Sequence, residues 1–131
     1  MSRENVEIVR RMHDAFARGD VEASLACFDS EIEFSTAAGP DTATYHGIDG
    51  VRQATRKWVG AWDDFHIDLE QLTDLGEHVL ARVRERGRGK GSGVEVEREL
   101  FQLFTFRDDR IARLRMYQDE KEALEAAGLR E

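Results

Sequence analysis

Apolar residues recur at intervals of three and four over the opening segment, where Ile8, Val9, Met12, Ala15 and Phe16 share one side of a helix from about Glu4 to Arg18. Gly19 stops it. Asp20 caps a second helix from about Val21 to Phe28, which presents Val21, Leu25 and Phe28 on one side. The period then falls to two, because Ile32 and Phe34 alternate with Glu33 and Ser35 in a short strand that leads into the loop TAAGPDTATYHG. Turn residues and the single proline, Pro40, make that loop a rim rather than core. Asp49 caps a third helix from about Gly50 to Trp62, with Val51, Ala54, Trp58 and Trp62 on its inward side. Beyond it HIDLEQLTDL, HVLARVRERGRG, VEVERELFQLFTF and RIARLRMYQ all alternate, and reversals at Gly76 and Glu77, at GRGKGSG and at Arg107 to Asp109 fold them into a long antiparallel meander. DEKEALEAAGLRE is a closing helix, with Asp119 near its start and Gly128 near its end.

Helices first and most of the sheet last is an α+β pattern, in which a curved sheet wraps three N-terminal helices as a cone around one pocket. On the third meander strand Leu100, Gln102, Phe104 and Phe106 share a face, while Phe101, Leu103 and Val96 or Thr105 occupy the other. Apolar residues on both faces need cover on both, and a homodimer packed back to back through the sheet supplies it. The alternative is a partly exposed apolar outer face.

The 131 residues suit a single domain, 1–131, and no apolar run is long enough to cross a membrane. MSRENVEIVRRMHDAF lacks the apolar core and cleavage site of a secretory signal, so a cytoplasmic protein is expected. A formal net charge of −8 repels nucleic acid. The one dense basic stretch, Arg82, Arg84, Arg86, Arg88 and Lys90, is diluted by Glu85 and by VEVERE. Cys27, the only cysteine, falls in an apolar-periodic run and reads as a small buried hydrophobe. His13, His46, His66 and His78 show no metal-binding spacing, and GRGKGSG sits in a hairpin rather than before a helix, so neither a metal nor a cofactor is expected.

The order of elements, carried by HDAFARGDVEASLACFDSEIEF, YHGIDGVRQ and LFQLFTFRDDRIARLRMYQDEKEALEAAG, resembles the nuclear transport factor 2-like superfamily, which includes ketosteroid isomerases and SnoaL-like polyketide cyclases. The resemblance covers nearly the whole chain and implies a small-molecule pocket, serving an isomerase, cyclase or lyase or else a non-catalytic binding or dimerisation module. Carried over position by position, the superfamily's catalytic groups are missing. The isomerase tyrosine corresponds to Met12, its carboxylate base to about Thr36, its protonated aspartic acid to Gln102, and the aspartate that cyclases and epoxide hydrolases take from the last strand to Met116.

The same mapping gives an inward set of Met12, Phe16, Phe34, Trp58, Trp62, Leu80, Leu100, Phe104, Leu114 and Met116, which suits an apolar or aromatic molecule. Thr36, Gln102, Gln118 and one or two of Arg82, Arg84 and Arg86 are its polar exceptions. Gln102 orients a ligand carbonyl or else bonds a neighbouring strand or water. Arg82 either faces inward to pair with a substrate carboxylate or phenolate, or lies at the rim or in the dimer interface against Glu97 or Glu99. His46 or His66 at the pocket mouth is the remaining candidate base, with a solvated or capping role as the alternative.

Overall fold

The computed structural model describes residues 2–36 and 43–128. The first helix, α1 (Ser2–Ala17), buries Ile8, Val9, Met12, His13 and Ala15 on one face. Gly19, at φ +78°, releases the chain, and the Asp20 carboxylate accepts from the Ala23 amide at 3.1 Å to start α2 (Val21–Leu25). That helix ends before Phe28. Phe28 instead opens β1 (Phe28–Thr36) as the partner of Ile111, which takes its backbone from helix to strand.

Part of the segment expected to be loop is a strand, β2 (Ala43–His46), paired antiparallel to the end of β1. Pro40 and the rim around it lie outside the described residues. The third helix, α3 (Gly47–Val59), starts earlier than its expected cap because Gly47, at φ +75°, turns the chain straight out of β2. Asp49 therefore sits in the first turn, where its charge favours the helix dipole. The helix also stops short of Trp62. Gly60 and Ala61 fold back on Arg56 and Trp58, and Trp62 opens β3 (Trp62–Asp74) opposite Gly89.

The meander continues through β4 (His78–Gly89), β5 (Glu95–Arg107) and β6 (Arg110–Tyr117), and the six strands form one sheet in the order β2-β1-β6-β5-β4-β3. Every pairing is antiparallel except β1 with β6. Registers shift near Asp64, at Glu70, and between Thr105 and Phe106; such bulges raise local twist and bend a sheet around what it covers. Asp64 meets its bulge at φ +55°.

Pairing fixes which residues face the helices. On β4 the inward row is Val79, Ala81, Val83 and Glu85, and on β5 it is Val96, Arg98, Leu100, Gln102 and Phe104. Val96 thus belongs to the inner face, not the outer. Leu80 is outward, on the same row as Arg82, Arg84, Arg86 and Arg88, and is not part of the pocket. The two rows of β4 are apolar alike at Val79, Leu80 and Ala81, so alternation alone does not orient the strand.

The outer face has its own cover. Helix α4 (Glu120–Ala126), capped by the Asp119 carboxylate, lays Ala123 and Leu124 over Leu80, Phe101, Leu103 and Tyr117. The apolar outer face at Leu80, Phe101 and Leu103, for which a homodimer was the expected cover, thus takes part of its cover from the chain's own α4. Farther along, the outer face is ionic: Arg82 and Arg84 pair with Glu70 and Glu99, and Arg86 with Asp68. Among the described residues no helix is long and apolar enough to cross a membrane.

Candidate functional site

Val79, Phe104 and Ile111 are fully buried in the main core cluster, and Met12, Leu100 and Leu114 of that cluster also border a void. It measures about 470 Å³. Met12 and Phe16, one helical turn apart, enter from α1; Val51, Ala54 and Trp58, at spacings of three and four, enter from α3. Phe34 of β1, Tyr45 of β2, Phe65 and Ile67 of β3, Leu100 of β5, and Leu114 and Met116 of β6 complete a mainly apolar wall, in which the Thr36 hydroxyl is bonded to the Ala43 backbone. Phe34 and Tyr45 are cross-strand partners with ring centroids 6.2 Å apart.

Two polar groupings interrupt this wall. At the deep end His13 Nε2 lies 2.8 Å from Gln102 Oε1, with both residues buried. An amide oxygen only accepts, so Nε2 carries the proton and donates, which leaves Nδ1 as the lone-pair nitrogen. Burial holds the imidazole below its usual pKa, outweighing the Gln102 bond and the Asp14 charge that raise it, so the neutral ring prevails. The amide nitrogen of Gln102 has no partner among the described residues, although the residue lines the cavity. It is free to donate to a ligand oxygen.

Toward the outer end, Glu85 and Arg98 face each other across β4 and β5. Glu85 Oε1 accepts from Arg98 Nε at 3.0 Å and its Oε2 from Trp58 Nε1 at 3.1 Å, while the guanidinium stacks 4.7 Å above the Trp58 ring. Burial raises the Glu85 carboxyl above its ordinary pKa despite the bonds from Arg98 and Trp58, which lower it. Trp62 packs edge-on against Trp58 at 5.4 Å and lies over Gly87, where a side chain would press on its ring at 3.3 Å. Lys57 also lines the cavity.

Of the residues expected to form the site, Met12, Phe16, Phe34, Thr36, Trp58, Leu100, Gln102, Leu114 and Met116 share this cavity. The others lie elsewhere. Trp62 belongs to the adjoining cleft with Gly87 and Val96, and Phe104 sits beneath the floor, edge-on to His13 at 6.4 Å. Arg82 is corrected to the outer face, between Glu70 and Glu99, and Arg84 and Arg86 follow it by strand parity. Gln118 is exposed past the end of β6, where the strand has already yielded to the turn before α4. His46 is exposed where β2 meets α3, and His66 is exposed opposite Arg86, so neither reaches the void. His13, Glu85 and Arg98 were missed. Among the described residues no group of three His, Cys, Asp or Glu is placed to hold a metal ion.

Helices packed in a bent six-stranded sheet, with a largely apolar void among the described residues, define a protein of the nuclear transport factor 2-like class. Within it the chain belongs to the SnoaL-like domain family, whose signature matches residues 9–114. Similar solved structures include a nuclear transport factor 2-like protein of Burkholderia thailandensis, 26% identical, with 91% of this chain and 95% of that one covered at a TM-score of 0.80. A SnoaL-like polyketide cyclase of Jannaschia, so named by resemblance, is 20% identical over 94% and 90% of the two chains, at 0.77. A protein of Catenulispora acidiphila with a ketosteroid isomerase-like fold, in complex with trimethylamine, is 20% identical over 95% and 94%, at 0.74. No curated protein gives a significant sequence match.

Proposed function

We propose that this chain binds one small, predominantly apolar molecule bearing hydrogen-bonding groups in the cavity between α1, α3 and the sheet. The observation that carries the reading is a void of about 470 Å³ whose apolar wall is broken by the His13–Gln102 and Glu85–Arg98–Trp58 groupings. Apolar walls supply affinity, at about 25 cal/mol per Å² removed from water, and a few placed polar groups supply orientation. The trimethylamine complex of the Catenulispora protein supports a small-molecule pocket in this fold. Titration with the neutral fluorophore N-phenyl-1-naphthylamine tests it. One saturable site per chain, lost in a folded Ala54→Trp variant, is the expected outcome; absence of saturable binding by the wild-type chain ends the proposal.

Glu85 favours a second reading, in which the bound molecule is also turned over by proton transfer as an isomerase, cyclase or lyase. A buried carboxyl with a raised pKa, facing the void, suits that task without the superfamily's usual carboxylates. Deuterium exchange at the α-carbons of decan-2-one in heavy water, lost in Glu85→Gln with fluorophore binding retained, supports it. No exchange above the buffer rate leaves the binding module.

The homodimer through the sheet, in a cytoplasmic setting, belongs to the same proposal. A row of arginines on β4 beside a row of glutamates on β5 is self-complementary under a two-fold axis. Sedimentation at about twice the chain's 15.0 kDa supports it, and a monomer at micromolar concentration overturns it.

A further inference from the structure

We infer that the cavity is built for an elongated organic acid, whose carboxylate lies against Arg98 and whose far end offers a carbonyl or hydroxyl oxygen to Gln102. The inference rests on the binding reading above and adds the class of ligand.

Charge is the first observation. Among the described residues the charged side chains that line the void are Lys57, Glu85 and Arg98. Glu85 offsets one cation through its bond to Arg98, and Lys57 forms no ion pair among the described residues, so the lining carries one net positive charge inside a chain of net charge −8. The two terminal nitrogens of the Arg98 guanidinium make no hydrogen bond to the described residues, because Glu85 is held by Nε alone. A guanidinium already flattened on Trp58 and fixed by Nε presents that free edge with little entropy left to lose. A carboxylate matches it.

Distance is the second observation. Arg98 and Gln102 are four residues apart on the inner row of β5, which at about 3.3 Å per residue separates them by about 13 Å. Leu100 lies between them and lines the void. Burial grades the same way, since Gln102 is 5% exposed whereas the Arg98 side chain is 32% exposed. The acid end thus stays near solvent while the apolar body runs inward past Leu100. At the deep end the Gln102 amide is locked by His13 with its nitrogen unclaimed, so an oxygen acceptor is recognised and a bare methyl leaves the donor unpaired.

Calorimetric titration of the full chain with 9-oxodecanoate, decanoate and decan-2-one separates the two contacts without any variant. The expected order places 9-oxodecanoate tightest, with loss of either end group weakening binding about tenfold. Raised salt weakens the two acids and leaves decan-2-one unchanged. Arg98→Gln weakens the acids alone; Arg84→Gln, the same change of charge on the outer face, weakens none. Equal affinity for decan-2-one and 9-oxodecanoate overturns the acid while leaving the apolar pocket intact. Failure of all three to bind overturns both readings.

Discussion

The hydrogen bond from His13 to Gln102 joins residues 89 positions apart, and each supports the burial of the other. His13→Leu leaves the Gln102 oxygen buried without a donor and is expected to cost about 2 kcal/mol in urea unfolding; the pair His13→Leu with Gln102→Leu recovers much of that loss. The bond also has a pH signature. Because the folded pKa of His13 is lowered, its contribution is fully present above the ordinary value of 6.5 and is lost as pH falls through the folded pKa. Wild-type stability, measured relative to His13→Asn, is therefore expected to decline on acidification below about pH 6.5; a flat difference would show that the ring is not held neutral. A signal for His13 was present in the sequence, since it lies one turn after Val9 on the apolar face, but the partner that makes it meaningful is on a distant strand. Glu85 was legible in the same way, as the charged member of the row Val79, Ala81, Val83. Its neighbours Arg84 and Arg86 drew attention to the opposite row instead.

At the level of elements, α4 decides how the sheet's back is finished. Its Ala123 is fully buried against Leu80, Phe101 and Leu103, a space with no room or partner for a charge. Ala123→Asp is expected to cost about 3 kcal/mol and to expose a surface that binds 1-anilinonaphthalene-8-sulfonate, seen by denaturation and dye fluorescence. An unchanged midpoint would mean that α4 is peripheral. Periodicity alone located all three N-terminal helices and the four-strand meander, because burial on one side of a helix or strand writes itself into spacing. It missed β2, a four-residue edge with Tyr45 inward and Thr44 and His46 exposed, too short for its alternation to outweigh the turn residues before it. It also placed Trp62 on α3, where helical spacing from Trp58 fits; the helix ends at Gly60 instead, and the two indoles meet across the helix-to-strand turn.

For the molecule as a whole, an unfilled void forgoes packing that a solid interior would have. Ala54→Leu, which extends a side chain into it, is expected to raise the melting temperature by about 4 °C for each kcal/mol of burial gained while weakening N-phenyl-1-naphthylamine binding. A rise in melting temperature with undiminished binding would put the probe elsewhere. The enclosure of helices by a curved sheet was legible from the order of elements, whereas the chemistry of the cavity was not, since strand parity on β4 and the turn out of α3 decide which polar groups face inward. The parallel pairing of β1 with β6 carries a consequence for how the chain assembles. Phe28 pairs with Ile111 over a long sequence separation, the kind of contact that slows folding. During synthesis the early helices and β1 emerge long before β6, and the hollow acquires its last wall only once the chain has been made through Tyr117.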